Sequence, residues 1–176
     1  NTFGLPTLIS NCSNNYGPFQ FPEKLIPLTI LKALNEEKIP IYGDGQNIRD
    51  WLFVDDHVDA IFKIITKGKI GESYCIGGNN PMTNLEVVKK ICSILDIQKP
   101  MIFKHKDLIE FVKDRPGHDF RYAIDASHIK KEINWEPKYN FDIAINNTVL
   151  WYIENIDWCL KIMKKGSYQG GRLGSI

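Results

Sequence analysis

The feature that most constrains this chain is the segment Asn11-Cys12-Ser13-Asn14-Asn15-Tyr16-Gly17-Pro18, which follows closely on an apolar run at residues 7–9. An apolar strand that stops abruptly in amides, a hydroxyl and Tyr-Gly-Pro leaves the core at a surface where polar groups are displayed. In open α/β sheets, ligands collect outside such strand ends. Taken alone, the segment is read more simply as an Asn- and Gly-rich turn that ends a strand, and the rest of the chain has to decide. Upstream, Gly4-Leu5-Pro6 reads as a helix exit leading into a buried strand, and an opening on Asn1 rather than Met fits a processed or excised segment.

The 176 residues suit one domain or a piece of a larger one, and 43% hydrophobic content is ample for a core. The net charge of +1 comes from interspersed Lys, Glu and Asp. That leaves no basic stripe, so nucleic acid is not expected as a partner and any bound anion must be met locally. Four cysteines, Cys12, Cys75, Cys92 and Cys159, are spread without a C-x-x-C pair or histidines at metal-ligand spacing. They read as reduced thiols of a cytoplasmic protein with no metal site. No long apolar run and no signal-peptide pattern is present, so neither a membrane nor a secretory route is expected.

Helical periodicity recurs along the chain. Leu25, Leu28, Leu31 and Leu34 share one face, with Ile26 and Ile30 beside them, while Pro27 should delay or kink the regular helix. Lys24 then lies near the helix start, where free backbone N–H groups and an ammonium could receive a phosphate; a solvated lysine is the alternative and, for any single Lys, the more common outcome. Asp55-Asp56-His57 precedes the periodic Val58, Ile61, Phe62 and Ile65 and is better explained as an acidic N-cap than as a metal site. Thr83-Asn84-Leu85-Glu86 matches a capping box, with Asn84 in the first turn, placed either to cap or to touch a ligand. A short capped helix is predicted over residues 125–133, and a longer one, read as core packing, over residues 141–155.

Between these helices lie strands and polar loops. Residues 39–43 and 48–54 flank Asp44-Gly45, which predicts a β-hairpin, because a tight primed turn needs the positive φ that Gly supplies. Alternation puts Arg49, Trp51 and Phe53 on one face and Asp50 on the other, so Arg49 needs a carboxylate or phosphate partner other than Asp50. Residues 72–76 read as a strand; the Gly77-Gly78 that follows lacks the third glycine of a dinucleotide fingerprint. A short strand is expected near Ile102. The loop Asp114-Arg115-Pro116-Gly117-His118-Asp119 is costly to bury unless its charges pair. Its Pro-Gly turn stiffens the backbone from which Arg115 and His118 project, either toward a diphosphate or into surface salt bridges.

In order, the stretches Asn11-Cys-Ser-Asn-Asn-Tyr-Gly-Pro, Phe21-Pro-Glu-Lys-Leu-Ile-Pro, Pro40-Ile-Tyr-Gly, Ile48-Arg-Asp-Trp-Leu, Asp114-Arg-Pro-Gly-His-Asp and Gly166-Ser-Tyr-Gln-Gly span nearly the whole chain. Together they resemble the C-terminal part of the dTDP-glucose 4,6-dehydratases, extended short-chain dehydrogenases/reductases. The resemblance implies an α/β fold: the C-terminal portion of an NAD-binding Rossmann-like domain, intermixed over residues 1–176 with a small α+β substrate-binding domain, the N-terminal NAD-binding half being absent. It implies a lyase that uses NAD on dTDP-glucose, acting as a homodimer. It assigns Asn15 to NAD, and it assigns to the sugar nucleotide Asn14, Lys24, Leu25, Pro40, Ile41, Tyr42, Arg49, Asn84, Asp114, Arg115, Pro116, Gly117, His118 and Tyr168.

The same resemblance marks what this chain lacks. None of its 7 tyrosines has Lys four residues on, so the Tyr-x-x-x-Lys pair that would supply the base is missing, as is a Gly-x-x-Gly-x-x-Gly turn. The family's Asp-Glu acid/base pair is likewise expected upstream of Asn1. No residue of this chain is therefore assigned a catalytic role, and the chain alone is expected to be inactive. Related sugar-nucleotide epimerases, decarboxylases and GDP-mannose dehydratases share the architecture, and a non-catalytic nucleotide-sugar binding module is the alternative from another class.

Overall fold

A computed structural model describes residues 4–165. In chain order these form β1 (Ile9–Cys12), β2 (Asn14–Tyr16), α1 (Leu25–Leu34), β3 (Ile39–Tyr42), β4 (Ile48–Phe53), α2 (Val54–Lys67) and β5 (Ser73–Ile76). There follow β6 (Pro81–Thr83), α3 (Asn84–Gln98), β7 (Ile109–Val112), β8 (Arg121–Tyr122), α4 (Ser127–Ile133), α5 (Phe141–Glu154) and α6 (Ile156–Lys165). The fold is α/β with mostly parallel pairing: β1 with β5, β2 with β4, β3 with β7 and β4 with β8. Among the described residues only β6 runs antiparallel, against β4.

Strand β4 is the hub. It carries β2 along its second half, where Asn14 faces Trp51, and β6 and β8 along its first, where Arg49 faces both Met82 and Tyr122. The expected alternation holds, and it splits the core in two. Trp51 and Phe53 join the cluster built on α1, α3 and α5, around Ile30, Val88 and Ile145. Leu52 points the other way, into a second cluster with Ala60, Tyr74, Ile129 and Trp135. A strand buried on both faces cannot slip register without exposing one of these sets.

Several local expectations hold. Thr83 and Glu86 form the full capping box of α3. The helix expected over residues 141–155 is α5, capped by the Asn140 side chain. Its Phe141, Ile145, Val149 and Tyr152 are all buried.

Others are corrected. The Asp-Gly turn is present, with Gly43 at φ 58 and Gly45 at φ 74, but it joins two sheets and closes no hairpin. β3 is taken by β7 and β4 by three other strands, so the turn chemistry sets the bend and leaves the pairing to longer-range contacts. Pro27 does not delay α1, which starts two residues earlier; in the first turn its missing N–H has no partner to lose. Strand β1 is not buried: Ile9 is 54% exposed, because among the described residues only β5 pairs with it.

No strand forms at Ile102, which is fully exposed. The chain turns there because the amide and ring of His105 are drawn to Asp96. The acidic pair does not cap α2: the N-cap is Phe53, and Asp56 is buried, accepting from the amides of Lys138 at 2.8 Å and Tyr139 at 3.2 Å. Helix α6 was not anticipated; it restarts at Ile156, directly after the Asn155 that ends α5.

Candidate functional site

Four separated stretches meet at one rim: the end of β3, the start of β4, the first turn of α3, and the loop after β7. The amide of Gly43 donates to the Val112 carbonyl at 2.9 Å, carrying the β3–β7 pairing one residue beyond Tyr42. A Cβ at Gly43 would stand 3.2 Å from an Asp114 carboxylate oxygen, so glycine there serves both the positive φ and the close approach. The Asn84 amide donates to the Asn47 carbonyl at 3.0 Å, and the Asn47 side chain donates to the Asp119 carbonyl at 3.2 Å. The guanidinium of Arg49 reaches that same carbonyl at 2.7 Å, and also those of Ile48 at 2.7 Å and Phe120 at 3.5 Å. Arg49 and Asn84 are thus tied to the loop after β7 through Asn47 and the Asp119 carbonyl, and Tyr42 adjoins the same loop through the Gly43–Val112 bond that follows it.

Of the two partners expected for Arg49, a carboxylate or a phosphate, the carboxylate is not what holds it: among the described residues its hydrogen bonds go to backbone carbonyls. The side chain is nearly buried, and burial lowers its pKa; Asp119 counters the shift, Arg115 adds to it, and Asp114 also counters it. A guanidinium has five N–H donors, so three carbonyl contacts leave donors over for an anion. Within the loop, His118 Nδ1 lies 2.8 Å from Asp114 Oδ1, which also accepts from the Arg115 amide at 2.8 Å. The His118 hydrogen bond is the main reason the Asp114 carboxyl is held below the usual carboxylate range. The His118 ring stands edge-on to Tyr42, with centroids 6.1 Å apart. Arg115, Pro116 and Gly117 are exposed, and Gly117 takes φ 68 at the tip of the turn.

Alternation along β3 separates its candidates: Pro40 and Tyr42 are half-buried, while the Ile41 side chain is buried in the core and offers only its backbone to the rim. Lys24 is the N-cap of α1, but its ammonium is paired with Glu23 at 2.7 Å, so an anion would have to compete for it. Leu25, half-buried, packs against the larger core cluster. Tyr168 lies outside the described residues.

The opening segment becomes β2. Asn14 is half-buried beside Trp51. The Asn15 amide nitrogen donates to Cys12 Sγ at 3.2 Å and to the Ser13 carbonyl at 3.1 Å, and its Oδ1 is buried with no partner among the described residues. Gln20 donates through Nε2 to the Asn15 carbonyl at 2.8 Å, and the Tyr152 hydroxyl donates to the Gln20 carbonyl at 2.7 Å. Sequence reasoning gave no supporting role at the site to Gln20, Asn47, Asp50, Asp119 or Tyr152. For Asp50 and Tyr152 a signal was present, a carboxylate inside an apolar strand and a hydroxyl on the apolar face of a helix; for the others there was none. Asp50 is buried and accepts from the amides of Gly78 and Asn80, both at 2.8 Å.

Among the described residues, no group of three or more His, Cys, Asp or Glu is placed to hold a metal ion, and no helix is long and apolar enough to cross a membrane.

Comparison with known proteins bears out the resemblance read from the motifs. A probable dTDP-glucose 4,6-dehydratase of Sinorhizobium fredii is 54% identical over 173 residues, covering 98% of this chain and 49% of the relative. The dTDP-glucose 4,6-dehydratase of Neisseria meningitidis serogroup B is 51% identical, over 99% of this chain and 50% of its own length. The chain therefore spans about half the length of the curated relatives it matches. Among solved structures, the dTDP-glucose 4,6-dehydratase of Bacillus anthracis in complex with NAD superposes with a TM-score of 0.83 at 50% identity, covering 92% of this chain and 49% of that one. The Streptomyces venezuelae enzyme, with NAD and TYD bound, superposes with the same TM-score of 0.83 at 39% identity, over 92% of this chain and 48% of its own. With residues 1–148 matched by its family model as well, the chain belongs to the family described as GDP-mannose 4,6 dehydratase.

Proposed function

We propose that this chain is the nucleotide-sugar binding part of a dTDP-glucose 4,6-dehydratase, a lyase that converts dTDP-glucose to dTDP-4-keto-6-deoxyglucose and water in deoxysugar biosynthesis. The observation that carries this reading is the convergence of Tyr42, Arg49, Asn84 and Asp114 to His118 on one rim, Arg49 and Asn84 linked through Asn47 and the Asp119 carbonyl and Tyr42 through its ring contact with His118. Arg49 and Arg115 meet the diphosphate with planar, permanently charged forks, and His118, oriented by Asp114, adds a further donor. Pro40, the Ile41 backbone and Tyr42 flank the base, while Asn14, Lys24, Leu25 and Asn84 complete the sugar-nucleotide side; Pro116 and Gly117 shape the turn that presents Arg115 and His118. Tyr168 belongs to the same proposed set.

Asn15 fits NAD on one feature of its own: with its nitrogen committed, a buried Oδ1 remains that suits a carboxamide N–H donor. When bound, NAD supplies reversible hydride acceptance. This chain's residues bind and orient the sugar nucleotide. They provide no Tyr-x-x-x-Lys pair to move the sugar's protons, so the 176-residue chain alone has no dehydratase activity. The whole protein works as a cytoplasmic homodimer, and residues 1–176 form one segment of it, in which later Rossmann strands are intermixed with the substrate domain.

Calorimetric titration with dTDP tests the reading. Arg49→Ala and Arg115→Ala are each expected to weaken binding about tenfold or more, as loss of a charge-assisted contact does. Unchanged affinity in both refutes the diphosphate assignment. Membership of the GDP-mannose 4,6 dehydratase family favours a second reading, a guanine-nucleotide sugar, and GDP in the same titration separates the two: tighter binding of GDP than of dTDP decides for it. Formation of the ketosugar by the purified chain, seen as its alkaline ultraviolet absorbance, would refute the inactivity.

A further inference from the structure

We propose that Tyr152 is a positioning residue for Asn14 and Asn15, acting across the loop at residues 17–20 from helix α5. Its ring is fully buried in the larger core cluster, a role that any aromatic side chain of that size fills. The hydroxyl does something more. It donates to the Gln20 carbonyl at 2.7 Å and approaches the Gly17 carbonyl at 3.4 Å, spanning the turn that follows β2. Gln20 carries the connection onward, since its Nε2 donates to the Asn15 carbonyl at 2.8 Å. Two hydrogen bonds in series thus run from the last turn of α5 to the main chain of Asn15.

The preceding residue on the helix grips the same loop from outside. The Trp151 ring lies 4.6 Å, centroid to centroid, from Phe19, and Trp158 of α6 lies 5.4 Å from it. Phe19 is 66% exposed and holds φ 63, a left-handed backbone that a non-glycine residue keeps only where its surroundings impose it. Trp151 and Tyr152, adjacent in sequence, therefore fix one ring and two carbonyls of a four-residue loop. Burial pushes the Tyr152 phenol well up, which favours its protonated, donating form. Among the described residues, Gln20 Oε1 in the loop and Asn15 Oδ1 and Ser13 Oγ just before it are buried without a partner, so local hydrogen bonds hold this stretch incompletely, which gives the anchor from α5 its purpose.

The functional half of this inference rests on the reading of Asn14 as a sugar-nucleotide contact; the positional half does not. Tyr152→Phe keeps the ring and removes the hydroxyl, and Gln20→Ala cuts the second link while leaving the core untouched. Hydrogen–deuterium exchange of the peptide covering residues 13–21 is expected to run about fivefold faster in both variants, the consequence of losing one hydrogen bond's worth of protection. Affinity for dTDP-glucose is expected to fall by a similar factor. Tyr74→Phe serves as the control: that buried hydroxyl accepts from the Lys69 amide at 2.9 Å in the other cluster, and its loss should move neither readout. Unchanged exchange at residues 13–21 in Gln20→Ala overturns the proposal even if Tyr152→Phe fails to fold. Faster exchange with unaltered affinity overturns its functional half. An unaltered chain that does not bind dTDP-glucose counts against the substrate reading, and exchange alone then decides the positional claim.

Discussion

Arg49 and Asp50, consecutive on β4, hold loops on opposite sides of the strand: the Arg49 guanidinium donates to the Asp119 carbonyl at 2.7 Å, and the Asp50 carboxylate accepts from the Gly78 and Asn80 amides at 2.8 Å each. Their side chains diverge because a strand alternates, so one dipeptide anchors two loops without the charges pairing with each other.

Replacing Arg49 by Lys retains the charge but not the fork that reaches several carbonyls at once. Arg49→Lys is expected to cost about 1–3 kcal/mol of stability through carbonyls left without donors. It should also weaken dTDP binding. Urea unfolding followed by circular dichroism, with calorimetry on the same samples, checks both.

Asp50→Asn preserves shape, but its neutral amide can accept well from only one of the two N–H groups while turning its own NH₂ toward the other. The expected loss is about 1.5–3 kcal/mol, the range for a buried hydrogen bond to a charged group. A lower urea midpoint at constant slope is the signature.

At Gly78, a Cβ would stand 1.9 Å from the Trp51 carbonyl oxygen, backbone against backbone at the hub strand. Gly78→Ala should cost about 3 kcal/mol or more, because neither partner can move aside. Gly71→Ala meets nothing within 4 Å but sits at φ 90, so only backbone strain of about 1–2 kcal/mol is expected. Thermal unfolding of the two variants side by side should rank them in that order.

Acid sensitivity should centre in part on Asp96. Burial pushes its pKa up, but the His105 amide and ring, with Lys104 nearby, outweigh burial and leave it lowered. A carboxylate depressed in the folded state stabilises it above the unfolded pKa, near about 3.9. That contribution disappears as pH falls through the folded value. Asp96→Asn is therefore expected to flatten the stability profile below about pH 4 and to lower stability at neutral pH, where the His105 amide loses its charged acceptor. Urea titrations across that range read out both effects.

Much of this fold is legible in local sequence. The α3 capping box, the apolar side of α5 and the alternation of β4 each follow from side-chain chemistry within one or two turns of chain. What sequence could not supply were choices made at long range. The Asp44-Gly45 turn specifies a bend, but which strand edge lies beyond it depends on β7 and β2 arriving from elsewhere. Asp56 has the makings of a cap, yet two amides from the 138–139 segment claim it. At the candidate site, the charged and aromatic members stand out in the sequence. Their supports do not, because Arg49 is satisfied by carbonyls, and carbonyls are the same at every residue.

That anonymity has an evolutionary side. A loop gripped through the main chain at residues 119 and 120 keeps its position whatever side chains those residues carry, and Phe120 is already 67% exposed. Substitutions along this edge of the rim can therefore accumulate, or be imposed in a library, without dismantling the frame that presents Arg115 and His118. Along this edge ligand preference can change while the scaffold is kept, whereas Arg49, which serves both, is the residue at which the two cannot be inherited separately.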